Sequence, residues 1–113
     1  MMFSRELTAA SAKPIVLAIL AQGESYGYEI IQQVKALSDQ EIQWAEGGLY
    51  PVLYRLERQG LIESYWHIPE NGRKRKYYRL KEEGRRVLTT ERQQWTITNT
   101  VLTKLWGLEP RLT

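Results

Sequence analysis

The segment from Gly47 to Gln59 constrains the fold most, because as a helix it has two sides of opposite chemistry. One side is an apolar stripe about 100° wide, typical of a helix that packs on a core; its residues are Leu49, Val52, Leu53 and Leu56. The other side carries Gly47, Tyr50, Pro51, Tyr54 and Arg58, with Arg55 on its flank. Two tyrosines and two arginines facing outward exceed what solvation requires, so this side is predicted to contact a partner.

Two further helices are predicted before this segment. The first runs from Ser4 to Ala21 with Ser4 as its N-cap. Pro14 is expected to bend this helix or to restart it, with Ser11 as the new cap. The second helix is predicted to start at Ser25 or Tyr26 and to end at about Leu37, because its apolar residues recur every three to four positions.

A hairpin and a long last helix complete the predicted order. Gly60 ends the third helix, and residues 61–67 and 75–80 then alternate as strands do, around turn residues 69–72. The last helix is predicted from Glu82 to about Trp106, a length of roughly 35 Å. The predicted fold class is therefore mainly α with a small β-hairpin (α+β), arranged as a winged helix-turn-helix.

The last helix is longer than a core of this size can cover. Most of its apolar side chains share one arc of about 140°: Val87, Leu88, Trp95, Val101, Leu102, Leu105 and Trp106. We therefore expect a homodimer, in which residues 1–81 form the winged helix-turn-helix domain and residues 82–113 the dimerisation helix and tail. The predicted dimer contacts are Leu88, Trp95, Leu102, Leu105 and Trp106.

Positive charge is concentrated in one segment, although the formal net charge is only +3. Eight basic and two acidic residues lie between Arg73 and Arg86, whereas the rest of the chain has eight basic and eleven acidic residues. Such a cluster gains counterion-release free energy on a polyanion, which favours a nucleic-acid partner. A solvated hairpin with a basic face explains the charge alone equally well.

Composition disfavours several function classes. Cysteine is absent and His67 is the single histidine, so neither a metal site nor a cofactor is predicted. No nucleophile–base pair and no phosphate-binding loop is recognisable, so an enzyme is not expected. The longest apolar run, Ile15 to Ala21, has seven residues, whereas a membrane helix needs about 20. No signal peptide opens the sequence, and a cytoplasmic protein without a membrane partner is expected.

In a winged helix-turn-helix the third helix enters the major groove and the hairpin tip contacts a neighbouring groove or the backbone. Amides near Gly47 and Gly48 are then expected to be free for a phosphate. Arg58 is interpreted as an i,i+4 partner of Tyr54 or a surface charge rather than a base contact. The full predicted DNA-binding set is Tyr26, Gly48, Tyr50, Pro51, Tyr54, Arg55, Arg73, Lys74, Arg75 and Lys76.

Several motifs follow one another at a specific spacing. They are YGYEI at residues 26–30, GLYPVLYRLE at 48–57, GLI at 60–62, and GRKRKYYRL at 72–80 followed by EG at 83–84. In this order they resemble PadR-type transcriptional regulators, strongly over residues 12 to 86 and more weakly over the final helix. Lys81 differs from the family pattern, which often has a capping threonine there, so the resemblance implies a less sharply fixed start of the last helix.

The resemblance implies a homodimeric winged-helix repressor of the short subgroup with one C-terminal helix. Within that subgroup the chain is similar to multidrug-binding regulators, which hold flat aromatic molecules at the dimer interface against a tryptophan of the last helix. The resemblance therefore implies effector contacts by Trp95, Asn99, Leu7 and Pro14. Packing of the dimer explains Trp95 as well, and Pro14 is a departure that can reshape or close the pore.

Two functions remain open from the sequence. The first is a homodimeric, sequence-specific DNA-binding regulator, a repressor released by a small, flat aromatic effector. Its partner is double-stranded DNA with a pseudo-palindromic operator. The alternative is a winged-helix protein-interaction module with only nonspecific DNA affinity, which lacks any operator preference.

Overall fold

The computed structural model describes residues 2–108, which form four helices and one three-stranded antiparallel sheet. The elements in chain order are α1 (Arg5–Gln22), β1 (Ser25–Tyr26), α2 (Gly27–Leu37), α3 (Glu46–Arg58), β2 (Ile62–His67), β3 (Arg75–Leu80) and α4 (Glu82–Leu105). The strand order in the sheet is β1-β3-β2. The predicted fold class, mainly helical with a small sheet in the order of a winged helix-turn-helix, is confirmed. In residues 2–108 no helix is both long and apolar enough to cross a membrane.

One core of leucine, isoleucine and valine side chains joins α1, α2, α3 and the sheet. The predicted stripe of α3 supplies three buried residues, Leu49, Leu53 and Leu56, while Val52 is half-buried against the same core. Gly60 has a φ of 76°, as expected of the glycine that ends this helix. Because one side of α3 is buried, its tyrosine-bearing side must face outward.

Helix α1 is continuous through Pro14 and is capped as predicted, because the Ser4 hydroxyl accepts a hydrogen bond from the Leu7 amide at 3.1 Å. The expectation that Ser11 caps a second segment is wrong. Its hydroxyl instead donates to the Leu7 carbonyl at 2.7 Å from within the helix. Pro14 removes one amide donor, but the burial of the following turn, which includes Val16 and Leu17, favours one uninterrupted helix.

Strand β1 was not predicted, since Ser25 and Tyr26 were placed at the start of the second helix. They pair with Tyr78 and Tyr77 of β3, so the hairpin gains a third strand. Ser25 is buried, and its hydroxyl donates to the Glu29 carboxylate at 2.6 Å. A two-residue strand is too short to show an alternation, and its pairing partner lies about fifty residues further along the chain.

Helix α4 begins at Glu82, and Lys81 forms no side-chain cap. The Lys81 amide donates to the Leu61 carbonyl at 2.9 Å, which attaches the start of the helix to the residue that precedes β2. Gly84, one turn later, is buried against the same carbonyl group. Backbone contacts to Leu61 therefore support this helix start in place of a side-chain cap.

Replacing Gly84 by alanine is expected to lower the free energy of unfolding by about 1–3 kcal/mol. The new Cβ would overlap the Leu61 carbonyl oxygen and lie 2.6 Å from Leu80 Cδ1, and neither backbone nor core can retreat freely. Urea unfolding followed by circular dichroism at fixed protein concentration measures the change. Gly47→Ala is the matched control, because its Cβ meets nothing within 4 Å and alanine favours a helix. Equal stability of the two variants would contradict tight packing at Gly84.

Candidate nucleic-acid interface

A cleft of about 810 Å³ lies between the N-terminal half of α3 and the β2–β3 hairpin, here called the wing. We call this cleft the wing groove. Its lining includes the four consecutive basic residues 73–76 and, facing them, Tyr26, Tyr28 and Tyr50, with one carboxylate, Glu46. Six of the ten predicted DNA-binding residues thus come together here: Tyr26, Tyr50, Arg73, Lys74, Arg75 and Lys76.

Three of the four consecutive cations 73–76 lie over aromatic rings. The Arg75 guanidinium is 4.4 Å from the ring centroid of Tyr26, and its Nη1 donates to the Tyr26 hydroxyl at 2.9 Å. Lys74 Nζ is 4.8 Å from the ring centroid of Trp66. Lys76 Nζ is 5.8 Å from that of Tyr78. These contacts hold the positive charges in place beside the groove while leaving N–H groups available to an anion.

Tyr77 is the centre of an aromatic cluster on the wing sheet. Its ring centroid lies 5.2 Å from that of Tyr26, 5.9 Å from Tyr65 and 5.5 Å from His67. Arg79 extends the cluster with its guanidinium 4.9 Å from the Tyr65 centroid. Cross-strand aromatic pairs of this kind stabilise a small sheet. Because the cluster includes residues of β1, β2 and β3, it braces the wing against β1.

The outward side of α3 exposes Tyr50, Pro51 and Tyr54, with 43% of Tyr50 and 64% of Tyr54 accessible to solvent. Tyr50 leans toward the wing groove, whereas Pro51 and Tyr54 do not line it. The Arg58 guanidinium lies 5.9 Å from the Tyr54 ring centroid, which confirms the predicted i,i+4 pairing. Helix α3 therefore presents Tyr50, which borders the wing groove, and Tyr54, which is more exposed.

A second cleft, of about 730 Å³, lies on the other side of α3. We call it the α1 cleft, because the N-terminal turns of α1 and residues 40–45 form its other walls. Phe3, Trp44 and Val52 supply apolar surface, and Arg55 lines it from α3. Gly48 also lines this cleft, so the structure places Gly48 and Arg55 away from the wing groove.

The Gly48 amide is not free, contrary to the expectation. It donates to the Ala45 carbonyl at 3.0 Å. The reason is that α3 starts at Glu46, one residue earlier than predicted, so Gly48 already lies in the first hydrogen-bonded turn.

The predicted dimer contacts fall into two groups. Leu88 is only 8% exposed and packs in the core of its own protomer, so it offers little surface to a second chain. Toward the C-terminal end of α4, Leu102 is half-buried and Leu105 and Trp106 are exposed. The tail residues 109–113 lie outside the described part of the chain.

The predicted effector residues lie on α1 and α4. Trp95 is half-buried, and its Nε1 donates to the Glu91 carboxylate at 3.2 Å. Glu91 also pairs with Lys13 of α1 at 3.8 Å, which links the two helices beside the indole. The other three residues are exposed or half-buried and line neither cleft: Leu7, Pro14 and Asn99.

Sequence reasoning missed Gly27, Tyr28 and Trp66 as groove-lining residues. Trp66 is exposed and pairs across the sheet with Lys76. The strand alternation carried this signal, because it assigns Trp66 and its neighbours to defined faces once the hairpin register is known. No local sequence pattern marked Gly27 and Tyr28 as groove residues, because the wing residues that share the groove with them lie far along the chain.

Tyr78 is expected to stay protonated to unusually high pH. Burial, together with the nearby Glu57 carboxylate and Tyr50, raises the pKa of Tyr78 to about 12. In the unfolded chain the pKa of tyrosine is about 10, so Tyr78 contributes its full stability below pH 10 and loses it as the pH rises from about 10 to about 12. Phenolate absorbance titration should show that Tyr78→Phe removes the highest step, whereas the control Tyr28→Phe leaves it. If the Tyr78→Phe protein titrates at high pH in the same way as the wild-type protein, the highest step does not belong to Tyr78.

Comparison with known proteins agrees with this architecture. Residues 16–90 match the profile described as the transcriptional regulator PadR-like family. A transcriptional regulator of Mycobacterium tuberculosis is 35% identical over 89 residues, which cover 79% of each chain. A transcriptional regulator from Clostridium thermocellum superposes with a TM-score of 0.81 at 32% identity, covering 91% of this chain and 97% of the other. A PadR-like regulator from Bacillus cereus superposes with a TM-score of 0.78 at 31% identity, covering 94% and 100%. The chain belongs to the PadR-like family of transcriptional regulators, which bind DNA.

Proposed function

We propose that this regulator is a homodimeric, sequence-specific repressor, with residues 1–81 binding DNA and residues 82–113 joining two copies. The observation that carries the proposal is the wing groove, where three aromatic rings hold basic residues of the wing opposite Tyr50 of α3. Such a groove combines nonspecific attraction for phosphate with side chains that read base edges. A protein-interaction module has no need for both.

The DNA contacts are proposed to divide between helix and wing. The outward side of α3, with Tyr50, Pro51 and Tyr54, faces the major groove and reads bases, and Arg55 reaches toward the DNA from the flank that borders the α1 cleft. The consecutive cations 73–76 contact phosphates, with Tyr26 holding Arg75 in position. Gly48 lies near the N-terminus of α3, where the absence of a side chain lets the DNA backbone approach and the helix dipole favours an anion.

Dimerisation is proposed to occur through the C-terminal half of α4. Val101, Leu105 and Trp106 are all exposed in the protomer, and 76% of Leu105 is accessible. A cluster of such side chains on one helix favours burial against a second copy. Two α3 helices related by a two-fold axis then require a pseudo-palindromic operator with half-sites about one helical turn or more apart.

Release of the repressor is proposed to depend on a flat aromatic effector between the two copies, stacked on Trp95. Support comes from the half-buried indole, whose Nε1 is held by Glu91 while Lys13 joins Glu91 to α1. A ligand here would contact both helices and alter the distance between the two wings. It acts only if it binds the released state more tightly than the DNA-bound state.

Sequence specificity is tested by selecting duplexes from a random pool and measuring anisotropy on a selected and a scrambled duplex at two salt concentrations. A preference of roughly a hundredfold or more that persists at physiological salt is expected of a sequence-specific regulator. Equal, salt-sensitive binding to both duplexes would instead support the alternative, a protein-interaction module with nonspecific DNA affinity. A pool selection makes this outcome decisive, because it does not depend on knowing where the natural operator lies.

Replacing Lys74, Arg75 and Lys76 together by alanine is expected to weaken binding to every duplex and to flatten the salt dependence of affinity. Each lost phosphate contact reduces the slope of log affinity against log salt by about one. The control Lys35→Ala/Arg86→Ala/Arg92→Ala removes the same charge from α2 and α4, outside the wing groove. Equal slopes for the two variants would show that the wing does not contact phosphate.

Val101→Glu/Leu105→Glu is expected to convert the dimer into a monomer, because buried carboxylates would face each other without partners. Sedimentation velocity measures the mass, and anisotropy should show weaker operator binding since only one half-site is engaged. Gln93→Glu/Thr96→Glu adds the same charge at exposed polar positions of α4 and should remain dimeric. A dimeric Val101→Glu/Leu105→Glu protein would place the interface elsewhere.

Acridine, a planar aromatic probe, is expected to quench tryptophan fluorescence and to release the selected duplex. Trp95→Leu should abolish the release, because stacking on the indole provides the differential affinity. Trp66→Leu, in the wing, should keep the response to acridine. If acridine releases the Trp95→Leu protein from the selected duplex as readily as it releases the wild-type protein, Trp95 only packs the dimer.

A further inference from the structure

We infer that Gly27, the first residue of α2, is a positioning residue that sets where Tyr50 meets DNA and thereby contributes to sequence discrimination. This inference rests on the proposed function. Gly27 is itself buried and lies on a different element from Tyr50, which projects from α3. It acts on DNA only through that tyrosine.

The evidence is the contact between Gly27 and the end of the Tyr50 ring. A Cβ built on Gly27 would lie 2.7 Å from the Tyr50 hydroxyl oxygen, 2.9 Å from its Cζ and 3.1 Å from its Cε1. Side chains do not approach a Cβ this closely, so only glycine leaves room for the ring. The phenol of Tyr50 therefore rests on the backbone of the first turn of α2.

Backbone conformation does not explain the glycine. Unlike Gly60 and Gly72, Gly27 is not among the residues with positive φ, and it lies inside a helix that alanine would favour. What alanine would remove is the space that the Tyr50 ring occupies. The glycine therefore serves the position of the tyrosine rather than the path of the chain.

The contact with Gly27 restrains the ring of Tyr50, while part of the side chain stays exposed to solvent. Tyr50 is 43% exposed, compared with 64% for Tyr54, whose ring lies 5.9 Å from the Arg58 guanidinium. A ring held in place before binding loses less side-chain entropy on contact and offers a defined edge to a base. We expect the restrained ring of Tyr50 to require a particular position of the base that it contacts. The freer ring of Tyr54 is expected to adjust to the operator.

A methyl group at position 27 must move the Tyr50 ring, because the clash is with the far end of a flexible side chain. Rotation about the side-chain bonds relieves it without disturbing backbone or core, so the fold should survive. The ring then points into the wing groove or away from α2, and its base contact is lost. The variant should therefore fold normally and discriminate poorly.

The test compares Gly27→Ala with Gly23→Ala, a glycine at the end of α1 whose added Cβ meets nothing within 4 Å. Each variant is measured for its melting temperature, its affinity for the selected and scrambled duplexes, and the NMR signal of the Tyr50 ring in protein with labelled tyrosine. We expect Gly27→Ala to shift the ring signal, to keep the melting temperature within a few degrees, and to lose about tenfold of the selected-to-scrambled ratio, the scale of one base contact. Its salt slope should stay unchanged.

A double-mutant comparison separates positioning from general damage. In a Tyr50→Ala background Gly27→Ala should cause no further loss of discrimination, because the residue that it displaces is gone. Equal losses in both backgrounds, or an unmoved ring signal, would overturn the inference while leaving the proposed function intact. A wild-type protein without operator preference would overturn both the proposed function and the role of Gly27 in specificity.

Discussion

The burial of Leu49, Leu53 and Leu56 sets the rotation of α3 about its own axis, and the interface depends on that rotation. These leucines pack into the core shared with α1, α2 and β2. Turning the helix by one residue would expose leucine surface worth several kcal/mol and bury a tyrosine in its place. Buried residues therefore decide which side chains of α3 face outward, and under the proposed function the same apolar stripe supports both stability and recognition.

Parts of this architecture that depend on local periodicity were predictable from the sequence. The helical stripe of α3, the two strands β2 and β3, and the glycine that ends α3 all depend on a few neighbouring residues, and the structure confirms them. Strand β1 was not predictable, because Ser25 and Tyr26 become a strand only through pairing with Tyr78 and Tyr77. Leu88 shows the same limit, since an apolar arc on α4 does not reveal which part faces the protomer's own core.

The candidate site, like the fold, was predictable from the sequence only in part. The cations 73–76 and the tyrosines of α3 were predictable as a charged and aromatic set, but their grouping was not. Only the three-dimensional arrangement puts Tyr26 beside Arg75, and separates Gly48 and Arg55 into the α1 cleft. A shift of one residue at the start of α3 was enough to engage the Gly48 amide, which boundary prediction from sequence does not resolve.

The short strand β1 has a consequence for how the chain reaches its native state. Its partners in β3 lie about fifty residues downstream, and β3 must be placed between β1 and β2 to complete the sheet. Closing so long a loop is entropically unfavourable until α2 and α3 have packed, so the sheet is completed late in folding. During synthesis α1, α2 and α3 can collapse while residues 75–80 are still within the ribosome, but the braced wing cannot yet form. A growing chain thus acquires its wing groove only once most of its length has been made.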